Sequence, residues 1–271
     1  MQAPRSCATV SLMTRKRLVI SLLALLVVLA GWFYWFYVKS PEAAIRHAES
    51  FLFRRMTVSQ VDDDGTYRHF FITNRTLDAG DNPVEDRFTR NRSDELSFGT
   101  FDSRLQPSLG LGMLLDATDW FQNEEIRIAD ISRLDPAGML QELNEVVDRS
   151  PGRSMLIVIH GFRERFPSAL RKTAFVASVL DIDTPVLVFD WPGDQGSSLR
   201  GYRSARDMAG ASGPDLARVI EVIVNDVQPD NLGIIANSMG GEVVVEAFNT
   251  LYENPDCADG DIESDHGFLW A

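Results

Sequence analysis

The stretch Leu232-Gly-Ile-Ile-Ala-Asn-Ser-Met-Gly-Gly241 constrains this chain more than any other. A short apolar run breaks at Ser238 and a helical pattern begins immediately, so the segment reads as a strand, a sharp turn and a helix with a serine at the apex. The nucleophile elbow is written G-x-S-x-G because small residues two before and two after the serine let strand and helix approach while the serine backbone is strained. Here the five positions are Ala236, Asn237, Ser238, Met239 and Gly240. Alanine for the first glycine still leaves room for the close approach.

The residues before the elbow set it in a β/α rhythm. Met155 to Ile159 and Pro185 to Phe189 are continuous apolar runs of the kind found in strands buried on both faces of a parallel sheet. Pro167 to Leu180 reads as the helix between them. Asp190-Trp-Pro-Gly193 reads as an exit loop, followed by a long loop through Tyr202 and Asp207. Pro214 then opens a helix in which Leu216, Val219, Ile220, Ile223, Val224 and Val227 recur at helical spacing. Gly240 to Tyr252 forms the last helix. Upstream, Asp135 and Pro136 read as N-cap and first position of a helix carrying Met139, Leu140, Leu143, Val146 and Val147. Three β-like runs precede it, Tyr67 to Thr73, Leu96 to Phe101 and Glu125 to Ile131, with Asn74 to Glu95 as a charged loop. Strands alternating with helices predict an α/β fold with a mostly parallel sheet and helices on both faces, whose ligands bind at the carboxyl ends of the strands.

Residues 18–38 are free of charge and follow Arg15-Lys16-Arg17. A run of this length suffices to cross a bilayer as a helix. Val28-Leu29-Ala30 resembles a signal-peptide cleavage site, but the apolar run continues through an interfacial cluster of Trp, Phe and Tyr up to Val38, which reads as an uncleaved anchor. The basic flank puts residues 1–17 inside and residues 39–271 on the extracytoplasmic side of a cytoplasmic membrane, with 39–65 as a juxtamembrane helix (Pro41 to Arg55) and linker, and 66–271 as the folded domain. In that topology Cys7 and Cys257 lie on opposite sides and cannot pair.

A net charge of −13 and a pI near 4.7 argue against nucleic acid, which is held through basic surfaces. The acidic loops Val61 to Gly65 and Asp256 to Asp265 lack the ligand spacing of calcium loops, so they read as solvated and no metal or other cofactor is expected. The expected partners are a small-molecule or lipid acyl substrate and, through residues 18–38, the membrane.

A serine needs donors for the oxyanion, a base and an orienting acid to act on an acyl group. The donors expected are the N–H of Met239 and that of Phe162 or Arg163 in the loop His160-Gly161-Phe162-Arg163, which follows a strand. His160 reads as shaping that loop. Asp190, at a strand end, is a candidate acid but without a histidine to orient. His266 is a candidate base, yet it stands before a strand, at the amino edge, a strand length of about 17 Å from the serine's edge. His47 and His69 read as surface or packing residues.

Phe71-Ile-Thr-Asn-Arg75, Ile157-Val-Ile-His-Gly-Phe162, Phe189-Asp-Trp-Pro192, Tyr202 with Asp207, and Ile235-Ala-Asn-Ser-Met-Gly240 resemble, in order and spacing, a family of uncharacterised bacterial α/β-hydrolases that look like esterases and lipases. The resemblance runs from Thr66 to the C-terminus. It implies an α/β-hydrolase fold, Ser238 as nucleophile and an oxyanion hole near Phe162. Asn237 stands where the family usually has His, and Arg163 where it usually has Asn. Chain order in this fold puts the acid and the histidine after the serine, and residues 267–271 look like the start of the next strand, so both are expected past residue 271. Two readings follow: a membrane-anchored serine hydrolase lacking its complete triad as given, and a non-catalytic tethered module that binds a ligand in the same cleft.

Overall fold

Among the described residues seven strands form one mixed sheet in the order β3-β2-β1-β5-β4-β6-β7. The computed structural model describes residues 20–32, 55–62, 65–105, 126–253 and 268–270. The strands are β1 (Thr66–Leu77), β2 (Phe88–Leu105), β3 (Ile126–Leu134), β4 (Ser154–Ile159), β5 (Val186–Asp190), β6 (Asn231–Asn237) and β7 (Phe268–Trp270). The main helices are α1 (Pro136–Arg149), α2 (Phe166–Leu180), α3 (Leu199–Val222) and α4 (Gly240–Glu253). Strands β1 to β3 form an antiparallel meander. Strands β1, β5, β4, β6 and β7 run parallel, as expected for strands joined through helices.

Alternation along the central strands divides the core. Met155, Ile157 and Ile159 of β4 and Leu187 and Phe189 of β5 cluster with residues of α1, α3 and α4. Their neighbours Leu156, Val158 and Val186 cluster with Ala177 of α2, while Phe71 and Val188 meet Phe166, Leu170 and Ala174 of the same helix. Successive side chains point to opposite faces, so a strand covered on both sides is apolar at every position.

Local chemistry fixes the element ends. Asp135 caps α1, its carboxylate accepting the Gly138 N–H at 2.9 Å, a contact that contributes about 1 kcal/mol. The predicted core positions Met139, Leu143 and Val147 of α1 are buried.

Two predicted loops are corrected. The charged stretch Asn74 to Glu95 is mostly strand: β1 continues to Leu77, a single helical turn spans Val84–Arg87, and β2 begins at Phe88. Charge misled because Arg75 is buried on a carboxylate and Arg92 reaches the buried Asp215 at 2.9 Å. The second loop, through Tyr202 and Asp207, is the first half of α3, capped by the Ser198 hydroxyl accepting from the Gly201 N–H. Pro214 therefore lies inside a helix instead of opening one. Its missing N–H and ring cost about 3 kcal/mol, offset by packing on both sides of it. The upstream packing uses Ala205, Ala209 and Ser212, residues too small to register as a hydrophobic stripe.

The expected strand after the last helix is present: β7 pairs parallel with β6, Trp270 opposite Asn237. Residues 20–32 form an apolar helix in a compact unit separate from the sheet, with Leu22, Leu26 and Leu29 exposed. Among the described residues no helix is long and apolar enough to cross a membrane. The flanks of the predicted 18–38 span, most of the 41–55 helix, His47, His266 and both cysteines lie outside the described residues.

Candidate active site

Ser238 stands between the last residue of β6 and the start of α4 with φ of +49°, in the left-handed region. A serine held there costs on the order of 1 kcal/mol or more, and such strain persists only where surrounding packing imposes it. That packing is visible at Gly240 and Gly161. A Cβ on Gly240 would lie 2.6 Å from the His160 carbonyl oxygen and 2.8 Å from that of Ile159, so α4 leaves the elbow hard against the end of β4. A Cβ on Gly161 would lie 3.1 Å from the Asn237 oxygen and 3.4 Å from the Ser238 Cβ. The predicted loop and the predicted elbow are thus in contact. Ser238 itself is exposed, while Ala236 and Met239 on either side are buried.

Two backbone amides beside the serine are available. Among the described residues neither the Phe162 nor the Met239 N–H has an intramolecular acceptor, whereas the Arg163 N–H donates to the Gly193 oxygen at 2.9 Å. Of the two donors expected on this loop, Phe162 is the one left open. The orientation of its peptide is set by His160, whose Nδ1 lies 2.9 Å from the Gly161 oxygen. A carbonyl only accepts, so Nδ1 carries the proton. The Gly161–Phe162 peptide is trans, so fixing its carbonyl toward His160 turns the Phe162 N–H the opposite way.

His160 is itself locked. Its ring is buried and stacked on Trp191 at 5.5 Å with planes 4° apart, and the Trp191 Nε1–H donates to the His160 carbonyl at 2.8 Å. The Trp191 backbone N–H approaches Nε2 at 3.1 Å, and Asp190 Oδ1 stands 3.0 Å from the same nitrogen. The neutral ring accepts from Trp191, leaving Oδ1 without a donor, while the protonated ring donates to Oδ1. The expectation that Asp190 has no histidine to orient is corrected: it meets His160. That pair does not serve Ser238, because both ring nitrogens are already engaged.

Asp190 is the last residue of β5 rather than part of its exit loop, and it is fully buried. Its Oδ2 accepts from Thr73 Oγ1 at 2.6 Å and from Arg75 Nε at 2.7 Å. Burial opposes its ionisation, but the Arg75 charge and His160 outweigh burial and hold the carboxyl below its ordinary value. Arg75 Nη2 donates to the Glu164 and Trp191 carbonyls, tying the exits of β4 and β5 together, and Nη1 donates to the Thr89 carbonyl. Asn74 turns the other way and donates to Ser212 and Asp215 of α3. The Thr73-Asn74-Arg75 segment is therefore a clamp whose role the sequence did not disclose, although Phe71 to Arg75 is one of the stretches that carry the family resemblance.

Among the described residues no histidine is free to serve Ser238 as base. His69 lies in β1, three strands from β6, fully buried, with Nε2 on Ser103 Oγ at 3.0 Å. Burial lowers its pKa to about 4. A cavity of about 310 Å³ lies between β1, β2, α1 and α3, and no residue of the elbow or the oxyanion loop lines it.

With the elbow, the loop and the sheet order in place, comparison with known proteins agrees. A family model described as "Alpha/beta hydrolase of unknown function (DUF900)" matches residues 136–261. This similarity supports the α/β-hydrolase superfamily for residues 136–261. The match takes in α1 through α4 with the elbow, and begins after the antiparallel meander. No curated protein and no solved structure matches the chain significantly.

Proposed function

We propose that this α/β-hydrolase domain is a serine hydrolase acting on esters or related acyl substrates, with Ser238 as nucleophile and the Phe162 and Met239 amides as oxyanion donors. The observation that carries the reading is the strained serine, at φ +49°, set against two amides that have no acceptor among the described residues, at the carboxyl edge of the sheet. Strain of this kind is maintained where it serves a site, and each oxyanion donor contributes about 3 to 4 kcal/mol to the transition state. Arg75, Asp190, His160 and Trp191 support the site by holding the oxyanion loop. Residues 18–38 anchor the chain, with the hydrolase domain on the extracytoplasmic face.

A fluorophosphonate probe followed by peptide mass spectrometry tests the nucleophile. Labelling at Ser238 that vanishes in Ser238→Ala supports the nucleophile; a folded protein that takes no label sinks the serine-hydrolase reading for this chain and favours the binding module. Alkaline carbonate extraction tests the anchor, since an anchored chain stays with the membrane pellet.

A further inference from the structure

If Ser238 is the nucleophile, the surface beside it bears on what the substrate carries. Leu199, Tyr202, Arg203 and Arg206 recur at i, i+3, i+4 and i+7 in the first two turns of α3, so they share one face. Two contacts locate that face. The Tyr202 ring meets Phe162 of the oxyanion loop edge-on, with centroids 5.4 Å apart. Arg206 Nε lies 2.8 Å from Glu242, in the first turn after Ser238. The strip therefore runs from the oxyanion loop to the first turn of the elbow helix, the two segments that flank the serine.

All four residues are exposed, Leu199 at 69% and Tyr202 at 48%. Arg163, next to the Phe162 donor, is exposed too. Among the described residues the side chains of Arg163 and Arg203 have no ion pair or hydrogen bond. Glu164, the carboxylate nearest in sequence to Arg163, is held by Lys172 and Ser168, and Glu242 is taken by Arg206. The chain as a whole carries a charge of −13, so unpaired cations beside apolar side chains at this mouth run against its general character. Two arginines are far too few for the broad basic surface a nucleic acid needs, but they suit a single anionic group next to a short apolar chain.

We propose that the Ser238 cleft takes an anionic amphiphile: an acyl substrate whose negatively charged headgroup meets Arg163 and Arg203 and whose chain lies along Leu199 and Tyr202. The proposal deepens the serine-hydrolase reading by naming a substrate class, and binding can be read without chemistry.

The test is calorimetric titration of the full chain, and of Ser238→Ala, with octyl phosphate, octyl glucoside and inorganic phosphate, the octyl compounds below their micelle concentrations. Octyl phosphate is expected to bind at least about tenfold more tightly than either comparator, with affinity falling as salt is raised. Arg163→Gln with Arg203→Gln should cut the preference to about twofold or less, whereas Arg127→Gln with Arg133→Gln, exposed on edge strand β3, should keep it. Equal affinity for the two octyl compounds, no binding of either, or a preference untouched in the double variant overturns the proposal. Inorganic phosphate binding as tightly as octyl phosphate overturns the apolar half. Fluorophosphonate labelling without the preference sinks the substrate class and leaves the nucleophile standing; the preference without labelling does the reverse.

Discussion

The exits of strands β5 and β6, which flank β4, lie on the same edge of one sheet and are built in opposite ways. At the end of β5, Asp190 is fully buried, and Thr73, Arg75 and His160 surround its carboxylate. At the end of β6, Ser238 is exposed, conformationally strained and without a hydrogen bond from its hydroxyl to any described residue. One exit has most of its polar capacity spent on structure, with only Asp190 Oδ1 lacking a donor when His160 is neutral, and the other keeps it unspent. A chemically capable residue type at the carboxyl edge is thus no sufficient mark of a site. What separates the two is whether the protein has already satisfied the group.

The largest effect that would break this contrast is at the locked exit. Arg75→Met leaves Asp190 buried without its main counter-charge, and is expected to cost about 3 to 5 kcal/mol in urea unfolding. A loss below about 1 kcal/mol would show that Asp190 is not held by this pair. Next comes acid sensitivity from another buried group, His69. Its folded pKa of about 4 lies below its ordinary 6.5, so the unfolded chain takes up a proton first on acidification. The contribution is complete above pH 6.5 and falls away as pH drops toward 4, a loss of about 3 kcal/mol. His69→Gln should flatten the stability profile in that window, and an unchanged slope would place the acid sensitivity elsewhere.

At the strained exit, Gly240→Ala pushes a methyl into the His160 and Ile159 carbonyls. About 1 to 3 kcal/mol of stability should be lost, together with most fluorophosphonate labelling, because elbow and oxyanion loop are forced apart. The smallest effect has the opposite sign. Ser238→Gly relieves the positive φ and should stabilise by about 1 kcal/mol while abolishing labelling. A thermal melt that shifts downward for Ser238→Gly would mean the serine side chain contributes to the fold and the contrast between the exits fails.

Much of the scaffold was legible because it rests on local pattern. Continuous apolar runs marked β4 and β5 to within a residue, Asp135-Pro136 marked the start of α1, and Ala236 to Gly240 marked the elbow. Contact between elbow and loop was legible too, since parallel strands bring their carboxyl ends to one edge. The reading failed where small or charged residues carried the structure. Ala205, Ala209 and Ser212 hid the first half of α3, and the charges from Arg75 to Glu95 hid the turn end of the β1–β2 hairpin.

The sequence by itself determined the alternation of strand and helix, the buried faces and the serine at a turn, all of which follow from periodicity and steric limits over a few residues. Only the tertiary structure decided that Arg75, more than a hundred positions from Asp190, neutralises it, that His160 spends both ring nitrogens on the loop, and that Tyr202 and Arg206 of α3 reach across to Phe162 and Glu242. Partners so distant in sequence leave no periodic trace. Their pairing is set by strand order and helix packing, through which a buried charge finds the one group able to satisfy it.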